Sequence, residues 1–79
     1  MTAFYFKVVD NDGILPADEA FHFPDLFSAV DQAKAVLAEM ALDGLPHEPL
    51  DALEIEVQNS QRLPVVRMRL ELKIQYLPA

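Results

Sequence analysis

The last third of the chain reads as two interleaved rows. Between Val65 and Tyr76, the apolar row is Val66, Met68, Leu70, Leu72, Ile74 and Tyr76, and the polar row is Arg67, Arg69, Glu71, Lys73 and Gln75. Successive side chains of a strand point to opposite faces, so the alternation describes a sheet with one dry and one wet side. Ala3–Val9 carries the same signature, with Phe4, Phe6 and Val8 against Tyr5 and Lys7. Asp10-Asn11-Asp12-Gly13 follows, a cluster suited to turn geometry. The return run, Ile14-Leu15-Pro16 and then Glu19–Phe23, is short and interrupted. Pro16 cannot donate to a ladder, which predicts a weak or edge strand and a β-hairpin as the opening unit.

At Pro24-Asp25-Leu26 the period changes. Leu26, Val30, Ala33, Leu37 and Met40 step by four and three, the stripe of an α-helix, widened by Phe27, Ala29, Val36 and Ala41. The spacing predicts a helix over Leu26–Asp43 that lies on the sheet by its Leu26/Val30/Leu37/Met40 face. Asp25 or Ser28 is expected to cap its start, and Gly44 to take the left-handed position past its end. Pro46 bars continuation, and Leu45–Asp51, with Pro46 and Pro49, reads as a crossing loop.

Leu53–Gln58 alternates again, with Leu53, Ile55 and Val57 apolar and Glu54 and Glu56 polar. Asn59–Arg62 reads as a turn, and because Pro64 has no N–H, pairing is expected from about Val65. With either Ser60-Gln61 or Gln61-Arg62 at the turn centre, Leu53, Ile55 and Val57 share a face with Val66, Met68 and Leu70. The same registers set Glu54 and Glu56 beside Arg67 and Arg69. The fold class is therefore α+β: a two-layer sandwich, one helix on a three- or four-stranded antiparallel sheet, in the order ββαββ. One length does not match. The last strand reaches roughly 40 Å at its usual rise, about twice the span of its hairpin partner. Leu70–Tyr76 then needs another neighbour, either the first strand or a second copy of the chain.

Composition narrows the function classes. The 79 residues make a single small domain, 1–79, which buries roughly 60–65 % of its unfolded surface. The apolar fraction of 52 % is near what folding alone requires, leaving little for a ligand cavity. There is no cysteine, so disulfides and thiolate metal sites are excluded, and a partner chain is the remaining means of stabilising so small a core. The expected partner is a second copy, giving a homodimer, or another protein. No apolar run is long enough to span a membrane and no basic-then-apolar leader opens the chain, so a cytoplasmic protein is expected. The net charge of −7 is unevenly spread: twelve of the thirteen acids lie in residues 1–56, and four of the six bases in residues 57–79. The two segments are expected to neutralise each other side by side.

Candidate chemistry is sparse. Asp10-x-Asp12-Gly13 resembles the opening of a calcium loop, but the twelfth position, which needs a glutamate, is Phe21. His22 and His47 would have to converge with Glu48 or Asp25 to hold zinc, and surface histidines are the expectation. Ser28 and Ser60 are a cap candidate and a turn residue, and Gly13 and Gly44 are too few for a phosphate loop. No catalytic residue, cofactor, metal or small-molecule substrate is inferred. A basic sheet face of Arg67, Arg69 and Lys73, with Tyr5 and Lys7, offers an alternative, nucleic-acid binding, although Glu54, Glu56 and Glu71 among them would repel phosphate.

Tyr5-Phe6, the Asp12-Gly13 turn, Phe23-Pro24-Asp25-Leu26, the alanine-rich helix and Leu53-x-Ile55-x-Val57 occur in that order. The arrangement resembles a family of short bacterial proteins classed as a domain of unknown function, over about residues 4–77. The resemblance implies a strand-turn-strand opening, a helix and two closing strands, and carries no activity. Phe23-Pro24-Asp25-Leu26 and the helix end at Asp43-Gly44-Leu45-Pro46 are also similar to HicB-like antitoxin domains, which pair with a toxin and usually add a DNA-binding segment. That segment is not expected here, and Phe27-Ser28 replaces the family's glycine-cysteine portion. The expected function is a non-enzymatic module acting through protein contacts at a sheet edge, with Leu70, Leu72, Ile74 and Tyr76 as the contact.

Overall fold

The structure is a computed structural model that describes residues 1–10, 13–45 and 52–78. Its elements are β1 (Thr2–Asp10), β2 (Gly13–Leu15), β3 (Ala20–Phe23), α1 (Leu26–Asp43), β4 (Ala52–Gln58) and β5 (Pro64–Glu71). They build an α+β fold in which one helix lies on an antiparallel sheet. β4 runs between β1 and β5, while β2 and β3 share the other side of β1. The return strand of the first hairpin is thus cut in two. Leu15 lies opposite Val8 and Ala20 opposite Tyr5, so residues 16–19 answer only Phe6 and Lys7. Pro16 accounts for the break: it brings no donor, and its carbonyl instead accepts from the Asp18 N–H at 3.0 Å. Gly13, opposite Asp10, has a φ of 136°, open to glycine and costly for any other residue. Asn11, Asp12 and the stretch 46–51, with Pro46, His47, Glu48 and Pro49, lie outside the described residues.

The dry rows meet as the alternation requires. Phe4, Ile55 and Val57 are buried with Ala29 and Ala33 of the helix, and Phe6, Val8, Phe23, Val36, Leu37, Met40, Val66 and Met68 close around them. Leu53 is also buried. Phe6 stacks on Phe21 at 5.5 Å between ring centroids, and Phe23 lies 6.2 Å from Phe4, so the aromatic rows of β1 and β3 pack as one patch. The helix sits mainly on β4. Its buried face is the predicted stripe without the first turn, with Val36, Leu37 and Met40 packed against the core. The centre is Ala29 and Ala33, while Leu26 and Phe27 are exposed at the helix start. Two methyl groups let the backbone approach the branched side chains of β4 closely, which a leucine at the same place would prevent.

Asp25 caps α1, accepting from the Ser28 N–H at 2.8 Å, and that bond holds its carboxyl below the usual aspartate range. Gly44 donates its N–H to the Met40 carbonyl at 3.2 Å, but with φ at 168° it is extended rather than left-handed. The helix ends without a left-handed cap.

The β4–β5 register sets Leu53, Ile55 and Val57 opposite Leu70, Met68 and Val66, and Glu54 and Glu56 opposite Arg69 and Arg67. The turn is longer than either two-residue centre. Asn59 bonds to Leu63 and Arg62 through the backbone, and its side-chain oxygen accepts from the N–H groups of Gln61 and Leu63. Ser60, Gln61 and Arg62 form the loop, with Arg62 left-handed at φ 63°. Gln58 faces Pro64 and Val57 faces Val66, so Val65 is an extra residue, a β-bulge that turns its side chain out of the ladder. β5 ends at Glu71, not Tyr76, because its ladder partner begins at Ala52. The first strand does not serve as neighbour to Leu70–Tyr76; both its sides are taken.

Replacing Ala33 with Leu keeps helix propensity and overfills the contact with β4. We expect a loss of about 1–3 kcal/mol in stability, read from urea unfolding. An unchanged midpoint would show that the helix does not seat on β4 through its alanines.

Candidate functional site

The open face of the sheet carries charge that is nearly all answered. Arg67 reaches Glu56 at 2.9 Å, and Arg69 lies 3.7 Å from Glu54 and also bonds to Glu71. These are the cross-strand partners that the register brings together. The Gln58 amide donates to the other oxygen of Glu56 at 3.0 Å. Lys7, Val9, Glu54, Glu56 and Arg67 line a shallow, open depression of about 190 Å³. Its ionic groups are turned on one another. The Glu56 carboxyl is held below the usual glutamate range, first by Gln58 and then by Arg67, with the charge of Lys7 adding and burial opposing. The hydrogen bond to Glu71 is the main influence that raises Arg69 above the usual arginine range.

Of the residues singled out in the sequence, Arg67 and Arg69 share this face, while Lys73 lies beyond the ladder and is exposed. His22 is exposed on β3 opposite Ala3. Among the described residues no three His, Cys, Asp or Glu side chains cluster as metal ligands, and no helix is long and apolar enough to cross a membrane. His47 and Glu48 lie outside the described residues.

Arg62 holds a position that sequence reasoning missed. Its guanidinium lies 4.6 Å from the centroid of the Tyr5 ring and donates to the carbonyl of Ala17, which is buried in the break between β2 and β3. The tip of the β4–β5 hairpin is thereby tied across β1 to the opposite edge of the sheet. The signal in the sequence was Asn59, whose side chain organises the turn that sends Arg62 there.

The proposed contact residues fall at the free edge. β5 has β4 on one side and no strand on the other among the described residues. Leu70 is half-buried at the end of the ladder. Beyond it Leu72 is 36 % exposed, Ile74 49 % and Tyr76 87 %. The alternating row therefore continues after the ladder stops, without a layer to cover it.

Two outcomes test this face. Arg62→Ala should cost about 1–2 kcal/mol through the lost carbonyl bond and ring contact. Arg62→Gly should cost less, since glycine also removes a left-handed strain of about 1 kcal/mol. Urea unfolding of both variants reads the difference, and wild-type stability for Arg62→Ala would show the tie to be idle. For Glu56, a depressed folded pKa means its stabilisation is present above the unfolded carboxyl value, about 4.3, and is lost as pH falls through the lower folded value. Glu56→Gln should lower stability at neutral pH and flatten the decline in acid. An acid decline as steep as the wild type's would assign that decline to other carboxylates.

No curated protein and no solved structure matches the chain. A family model described as a domain of unknown function, DUF6894, matches residues 3–71, from the second residue of β1 to the last of β5. The match stops where the paired strand stops, leaving Leu72 onward outside it. The chain belongs to the DUF6894 family.

Proposed function

We propose that this protein is a non-enzymatic module that acts through protein contacts at the free edge of β5 and the segment following it. The observation that carries this reading is the apolar row Leu70, Leu72, Ile74 and Tyr76, which runs past the end of the ladder into exposed positions. An unpaired edge with an apolar row favours strand addition from a partner. The opposite edge is a poorer template, because residues 16–19 interrupt it. The proposed setting is the cytoplasm, in keeping with a cysteine-free chain.

A nucleic-acid interface on Arg67, Arg69 and Lys73 has less support. Two of the three cations are already paired with carboxylates, and the chain carries a net charge of −7. An antitoxin-like role rests on similarity of the helix entry alone.

Leu72→Lys and Ile74→Lys test the edge. Both residues lie outside the ladder, so the thermal midpoint of the isolated domain should stay within a few degrees of wild type. Complex formation should be lost, read as solution mass by light scattering and as loss of any copurifying protein. Complexes that survive both substitutions would overturn the reading. A sharply lowered midpoint would instead make these residues part of the domain's own core.

A further inference from the structure

We infer that the partner at this edge is a second copy of the chain, paired antiparallel through β5 and its continuation, with Leu72 opposite Leu72 across a two-fold axis. The inference rests on the edge reading above and names its occupant. A two-fold antiparallel pairing must be self-complementary, so the sequence around the centre selects the register. Centred on Leu72, Glu71 of each copy faces Lys73 of the other, twice over, and Leu70 faces Ile74 on the helix side. Centred on Glu71, the same strand sets Glu71 against Glu71 and Arg69 against Lys73. Centred on Lys73, it sets lysine against lysine; centred on Leu70, it sets Arg67 against Lys73. Of the registers centred on residues 70 to 73, only the one on Leu72 joins opposite charges without also joining like ones. Directly opposed like charges are destabilising and opposed unlike charges favourable, so these pairings discriminate among registers.

The structure supplies what this pairing needs. Among the described residues Lys73 has no carboxylate partner, and Leu72 and Ile74 have exposed side chains. Glu71, already beside Arg69 of its own strand, would gain a second cation from the other copy. The alternating row beyond Glu71, which no strand of the chain pairs among the described residues, is then matched by an equal length from its twin.

The test combines mass, charge and cross-linking. Wild type should have the mass of a pair, near twice 8.9 kDa, by light scattering over a range of concentrations. Glu71→Lys and Lys73→Glu should each weaken the pair by several-fold in dissociation constant. Mixing the two variants should restore it, because every facing pair is then opposite in charge. The chain has no cysteine, so single cysteines report distance cleanly. Leu72→Cys should form a symmetric disulfide on oxidation, since directly opposed residues lie within bonding range. Leu70→Cys should not, because its two copies would be offset by about 13 Å. A monomeric wild type overturns the inference, leaving the edge reading to stand or fall on whether Leu72→Lys abolishes binding to another protein. A pair that cross-links at residue 70 and not at 72, or that ignores both charge variants, overturns the register while keeping self-association. A pair unaffected by Leu72→Lys and Ile74→Lys overturns the edge reading and the inference together.

Discussion

The contact between the buried row of β4 and the two alanines of α1 supports everything else in this molecule. Ile55 and Val57 are shielded from below by the sheet's own neighbours and from above by a helix that Ala29 and Ala33 bring close. A chain of this size has few places to bury branched side chains completely, and the central strand is where both layers overlap. The helix is narrow and the sheet is wider. Its shelter therefore fades outward through Met68 and Leu70 to residues that no layer covers. The exposed apolar row at the edge follows from the geometry of one helix centred on one strand.

The charged face obeys the same centring. β4 supplies Glu54 and Glu56, and the basic strand beside it supplies Arg67 and Arg69, so two of the four bases in the last segment are answered within one hairpin. What looked like a basic docking surface in the linear chain is largely neutralised by its neighbour. Lys73 escapes because it lies past Glu71, where β5 and its ladder with β4 end.

Much of this was legible in the sequence. The alternation of Leu53–Gln58 and Val66–Leu70 indicates which side chains share a face, but the three-residue turn alone would set the rows out of step, and the extra residue Val65 restores the pairing. The helix limits followed from a cap residue at Asp25 and a change of period. The helix's buried stripe was legible through Ala33, Leu37 and Met40. Its centre at the two alanines and the exposure of Leu26 were not, because hydropathy ranks Leu26 above Ala29 whereas close packing rewards the smaller side chain. The turn escaped because its geometry depends on the Asn59 side chain and on a left-handed arginine, a conformation that composition does not announce. The tie between Arg62 and Ala17 joins residues forty-five positions apart, and no local pattern encodes such a contact. At the candidate contact, the sequence identified the apolar row but not where the ladder would end, because that depends on the first residue of the partner strand.

The interrupted return strand has a bearing on how large any assembly can grow. A sheet with two intact edges can hand its hydrogen-bonding pattern from molecule to molecule without limit, which is how fibres propagate. Here the break at residues 16–19 leaves one margin in fragments of three and four residues, with a proline at the fault. Only the other margin can be extended, and joining two such margins uses both up. In the proposed pairing the flaw in the first hairpin would thus act as a terminator, restricting growth by strand addition to a closed pair and keeping an apolar edge from seeding an open polymer.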